Sequence, residues 1–161
     1  MTRVEEGARL LDQNRPAEAL ALFAASGTVC NDARARFGCA VALQLLGRLD
    51  EAEAAYLAVL ETEANAEALA NLVGLAIEKF DLERVERYSR RLLEIEPDST
   101  IAWQGLLVVA IERRDYEAAS SYFARIESRI GAADERAIQY RLNWKMVDRL
   151  REGYGAVARA R

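Results

Sequence analysis

Leu49-Asp50-Glu51-Ala52-Glu53-Ala54-Ala55-Tyr56 carries a small residue followed four positions later by an aromatic, and the chain repeats that arrangement. Pro16-Ala17-Glu18-Ala19-Leu20-Ala21-Leu22-Phe23 precedes it, and Tyr116-Glu117-Ala118-Ala119-Ser120-Ser121-Tyr122-Phe123 follows. A degenerate copy, Leu82-Glu83-Arg84-Val85-Glu86-Arg87-Tyr88, lies between. Ala19, Ala52, Val85 and Ala119 are spaced 33, 33 and 34 residues apart, the period of stacked helix-turn-helix units.

Apolar periodicity and chain breakers predict nine helices. The first runs over about 2–13 and stops at Asn14-Arg15; Pro16, tolerated at a first helical position, opens the second. The third covers 32–46 and closes at Gly47, which can take a left-handed cap. The fourth starts near Asp50 and reaches Thr62, the fifth covers 65–79, and the sixth covers 82–95 before Pro97. Asp98 or Ser99 caps a seventh over 99–112, an eighth covers 116–129, and a ninth covers 134–152. Short connections imply antiparallel neighbours whose apolar stripes are buried only when pairs stack. The reading is all-α, a single domain with no linker and no sheet.

Composition bounds the function. The 161 residues carry a net charge of −4, which argues against a nucleic-acid-binding face. Residues 1–97 hold 17 acids and 11 bases and residues 98–161 hold 9 and 11, read as variation among solvated faces. No apolar run reaches the roughly 20 residues that span a bilayer, and the start has no signal-peptide pattern. A cytoplasmic location is therefore expected, with no membrane partner. Cys30 and Cys39 form no framework, and Cys39 falls in an apolar stripe as a small buried hydrophobe.

The sequence offers no catalytic apparatus. It has no histidine, the commonest general base and metal ligand. No glycine-rich phosphate loop occurs, two separated cysteines make no zinc site, and Ser120-Ser121 has no base in its own repeat. The carboxylates stand beside arginines on exposed faces. Glu83 with Arg87 and Glu86 with Arg90 have the favourable helix-pair order, so Arg84, Arg87, Arg90 and Arg91 read as a solvated face. No enzyme activity, cofactor or metal is expected.

The repeat resembles the tetratricopeptide repeat family. Trp103, Leu106, Leu107, Asp115-Tyr116, Ala119 and Phe123 carry its pattern, with Leu107 where glycine or alanine is usual. A second copy, 33–66, has Cys39, Ala40, Leu43, Gly47, Ala52 and Tyr56. A third, 67–99, has Val73, Gly74 and Ile77, a turn one residue short, then Val85, Tyr88 and Pro97. The first, 1–32, matches through Gly7, Leu10, Ala19 and Phe23, and the fourth covers 100–133. The resemblance implies a right-handed α-α superhelix of about four repeats with a C-terminal capping helix over 134–152. Gly7, Ala40 and Gly74 are expected where helices cross closely. Arg3 and Glu6, in place of Trp103 and Leu106, suit a first repeat that meets water and place Met1 near a domain start.

The resemblance also implies a concave groove lined by first helices. Transferred by register, one groove row is Ala8, Val41, Leu75 and Val108; flanking rows are Val4, Phe37, Asn71 and Gln104, and Leu11, Gln44, Glu78 and Ile111. The row is apolar, and Arg34 is the sole base at its edge, so the basic clamp that grips a C-terminal carboxylate is absent. The expected partner is a protein or peptide, as an amphipathic helix or an extended apolar segment. The expected role is an adaptor, assembly factor or export chaperone, and the alanine and arginine bias suggests a bacterial source. Small chaperones of type III secretion translocators are similar in type. The alternative is a self-associating protein, a homodimer joined through Trp144 and Met146 on the last helix, whose two apolar stripes exceed one-sided packing. A further alternative is a regulatory domain of a larger protein.

Overall fold

Three residues separate each first helix from its partner, and the same backbone turn is made four times. Asn14, Gly47, Phe80 and Arg114 have φ of 56, 74, 57 and 59°. The following N–H reaches back five residues: Arg15 to Leu10 O at 2.9 Å, Arg48 to Leu43 O at 3.0 Å, Asp81 to Ala76 O and Asp115 to Ala110 O at 2.9 Å. The N–H groups of Asn14, Gly47, Phe80 and Arg114 also bond Leu11, Gln44, Ile77 and Ile111 at 2.9–3.0 Å. Each is a Schellman closure, in which a left-handed residue satisfies the last carbonyls of its helix.

These turns belong to a computed structural model of the chain, which describes residues 2–25 and 32–130. The described residues are helical, without strands: α1 (Arg3–Asp12), α2 (Pro16–Ala25), α3 (Ala33–Leu45), α4 (Leu49–Leu60), α5 (Ala66–Glu78), α6 (Leu82–Ile95), α7 (Thr100–Glu112) and α8 (Tyr116–Ile130). The expected ninth helix, 134–152, and Cys30 lie outside the described residues. The starts of α1, α3 and α5 are set by short polar side chains. Thr2 and Glu5 form a reciprocal capping box, the Asp32 carboxylate accepts from the Arg34 and Ala35 N–H groups, and Asn65 Oδ1 accepts from Ala68 N–H. Ser99 occupies the N-cap of α7 without a side-chain cap bond, and Asp98 pairs with Arg129 instead.

The chain divides into two compact units, Met1–Asp81 and Leu82–Arg161. In the first, α1 packs on α2 and α3, α3 on α2 and α4, and α4 on α5. Leu10, Ala19, Phe23, Ala35 and Cys39 form one core cluster, with Val4, Leu11, Leu20 and Leu22 against it. Ala52, Tyr56, Val59, Ala68, Leu69 and Leu72 are buried where α4 meets α5. Lys79 ties the end of α5 to α4, its ammonium lying 2.6 Å from Asp50 and 2.8 Å from Glu53. In the second unit α7 packs on α6 and α8 around Leu107, Ala110, Ala119, Phe123 and Ile126. Glu86 bridges to Arg90 at 2.8 Å and to Arg113 at 2.7 Å; Arg87 turns onto the Tyr88 ring rather than to Glu83.

The small residues explain the close crossings, with one correction. Ala19, Ala52, Val85 and Ala119 are all fully buried. A Cβ on Gly7 would lie 2.4 Å from the Phe23 ring, and one on Gly38 would lie 2.5 Å from it, so two glycines grip one aromatic. Gly74 does no such work: it is exposed and a Cβ there would meet nothing within 4 Å. Val73, fully buried, holds the place expected of Gly74.

Candidate functional site: an apolar cleft between α1 and α3

The turns set the register of the first helices. Counted back from Asn14, Gly47, Phe80 and Arg114, one row is Ala8, Val41, Gly74 and Val108. The flanking rows are Val4, Phe37, Ala70 and Gln104, and Leu11, Gln44, Ile77 and Ile111. In α5 the expected residues Asn71, Leu75 and Glu78 are therefore each one position late. The turn after α5 is as long as the others, and the extra residue of the 34-residue spacing falls between the start of α6 and the start of α7. Burial agrees: Leu75 is 1% exposed and belongs to the core, while Gly74 is open.

Five of the expected residues come together. Val4, Ala8 and Leu11 from α1 and Phe37 and Val41 from α3 line a cleft of about 480 Å³, with Phe23 and Gly38 at its base. Val4, Ala8 and Leu11 share a face because they are four and three residues apart; Phe37 and Val41 do so on α3. Val4, Leu11, Phe37 and Val41 are half-buried and Ala8 is exposed, so the floor is apolar and reachable. The volume lies within the roughly 300–1,000 Å³ of clefts that hold ligands.

The rim was not visible in the groove rows. Glu5 and Asp12 stand next in sequence to Val4 and Leu11, and Glu63, Asn65 and Glu67 reach the cleft from the start of α5. Arg34 is its one cation among the described residues. The missing signal is tertiary: a chain end between α4 and α5 has to fold over α3 before its acids count as part of this surface.

Gln44 and Asn71 are brought together for another reason. Tyr56 is fully buried, its hydroxyl donates to Gln44 Oε1 at 2.8 Å, and Asn71 Nδ2 donates to that hydroxyl at 3.0 Å. Two half-buried amides thus satisfy a phenol that burial would otherwise leave unpaired. Burial pushes the Tyr56 pKa up, with the Asn71 hydrogen bond opposing it. Phe37 meets the Tyr56 ring edge-on, centroids 5.8 Å apart, linking this network to the cleft wall.

In the second unit, Gln104 and Val108 are half-buried, and Ile111 packs on the α7–α8 core. Trp103 stacks on Tyr122 at 5.7 Å, and the Arg125 guanidinium lies 4.6 Å over the indole. Trp144 and Met146 lie outside the described residues. Cys39 is a free, buried thiol whose pKa desolvation pushes up, an unreactive setting. Among the described residues no cluster of metal-ligating side chains occurs, and no helix is long and apolar enough to cross a membrane. No family model matches the chain, and no curated protein matches it.

Proposed function

We propose that this chain is a tetratricopeptide-type adaptor that holds a segment of one partner protein in the cleft between α1 and α3. The observation that carries the reading is the open apolar floor of Val4, Ala8, Leu11, Phe37 and Val41, built from two first helices on adjacent hairpins. The four identical turns at 33- and 34-residue spacing support the repeat assignment. Apolar surface left reachable on a packed helical frame marks an interaction site, because closing it from water is favourable. Among the described residues backbone hydrogen bonds within the helices leave no strand edge, so recognition falls to side chains in a groove.

The test is in-cell photocrosslinking. A photoreactive side chain at Val41 yields an adduct with one identifiable protein, and the same group at exposed Ala54 on α4 yields none. Purified partner then binds the intact chain but not an Ala8→Glu, Val41→Glu double variant that keeps its helical circular dichroism. Adducts at Ala54 alone, or unchanged binding by the double variant, would place the interaction elsewhere. An adduct of two copies of the chain would favour self-association.

A further inference from the structure

The rim of the cleft is as informative as its floor. Among the described residues four carboxylates surround it, Glu5, Asp12, Glu63 and Glu67, against the single guanidinium of Arg34, and all five are exposed. None of the four meets a cation among the described residues. Glu5 accepts from the Thr2 N–H at 2.7 Å and Glu63 from the Asn65 side-chain amide at 3.0 Å; neither contact cancels the charge. Glu6, Glu18, Glu51 and Glu86, by contrast, each hold an arginine within 2.6–2.8 Å. The apolar floor is thus ringed by carboxylates whose charge no ion pair offsets among the described residues.

The floor itself suits a helix. Val4, Ala8 and Leu11 span two turns of α1, about 10 Å at a rise of about 1.5 Å per residue. That is the run of an apolar stripe at i, i+4 and i+7 on a facing helix. From the floor and its charged rim together, we infer that the occupant is a basic amphipathic helix of another protein. Its apolar stripe lies on Val4, Ala8, Phe37 and Val41, and its lysines or arginines flank that stripe opposite Glu5, Asp12, Glu63 and Glu67. An acidic helix of the same shape meets like charge on both sides, which is a strong basis for rejection. This inference rests on the cleft being the binding site and adds the chemistry of what enters it.

The experiment uses the full chain and synthetic helices with one apolar stripe, whose remaining positions are all lysine in one peptide and all glutamate in its twin. Anisotropy titration at low salt gives the lysine helix at least about tenfold tighter binding than the glutamate twin, and added salt closes the gap. Replacing Glu5, Glu63 and Glu67 by Gln and Asp12 by Asn weakens the lysine helix about tenfold and flattens its salt dependence, with helicity unchanged. Equal binding of the twins, both lost on Val41→Glu, would overturn the charge rule and leave the cleft as the site. Lysine-helix binding unchanged by Val41→Glu would remove the cleft as the site. A peptide of residues 134–161, which carries seven bases and four acids, that displaces the lysine helix from the cleft at lower concentration would put the chain's own sequence in the partner's place and overturn the inference.

Discussion

Helices α3 and α5 have thirteen residues each, end in the same left-handed turn and sit in the same compact unit, yet only α3 presents a wall. At equivalent positions α3 carries Phe37 and Val41, and α5 carries Ala70 and Gly74. A second contrast runs beneath this one. Gly38 of α3 is packed against Phe23, whereas its counterpart Asn71 of α5 bonds the hydroxyl of Tyr56, the residue equivalent to Phe23. The backbone repeats while the side chains do not, so a repeated frame can confine recognition to one pair of helices. Glycine likewise means opposite things on the two: close approach at Gly38, and an erased side chain at Gly74.

That comparison breaks most sharply on the two glycines. Gly38→Ala forces the Phe23 ring away from a place where Gly7 already holds its other side, and the account expects a loss of about 1–3 kcal/mol. Gly74→Ala adds a methyl in open space to a helix interior and is expected to gain about 0.5–1 kcal/mol. Urea unfolding of both variants reads the difference; equal and small effects would contradict the register of α3 and α5.

Tyr56→Phe tests the polar link between α3, α4 and α5. Losing the hydroxyl strands Gln44 Oε1 and Asn71 Nδ2, with an expected loss of about 1–2 kcal/mol in thermal or urea unfolding. The pH dependence has a definite sign. Burial raises the folded pKa of Tyr56, so the unfolded phenol releases its proton near pH 10 (about) while the folded one keeps it. The stabilisation is complete below that pH and falls as pH rises beyond it. Tyr56→Phe should show less alkaline loss than the parent chain.

Ser89 extends the comparison to the second unit. It lies on α6 at the position of Phe23, Tyr56 and Phe123, is fully buried, and its hydroxyl has no hydrogen-bond partner. Ser89→Ala removes an unpaired polar group and should raise stability by about 1 kcal/mol. The smallest effect is expected at the turns. Phe80 is left-handed and 69% exposed, where Gly47 does the same work without a Cβ. Phe80→Asn should gain about 0.5–1 kcal/mol by relieving that conformation, measured as a shift in midpoint.

The helices were legible because periodic apolar residues, Pro16, Gly47 and Pro97 mark them, and the four buried small positions follow from spacing alone. The α1 and α3 residues of the cleft were legible for the same reason: Asn14 and Gly47 announce a left-handed turn by residue type. The slip in α5 has the opposite cause. Phe80 adopts a conformation that its side chain disfavours, so nothing in the sequence marks the turn, and the sequence pattern places Asn71, Leu75 and Glu78 one position late. The bond from Tyr56 to Gln44 and Asn71, like the arrival of Glu63 and Glu67 at the cleft, joins residues on different helices and leaves no local trace.

The most direct measurement is a backbone amide NMR titration of the full chain with the lysine-bearing helix. Shifts concentrated at residues 4–12 of α1 and 33–41 of α3, with residues 70–77 of α5 unmoved, are what the account predicts. Largest shifts at 70–77, or shifts spread evenly over all the first helices, would contradict a site confined to one cleft.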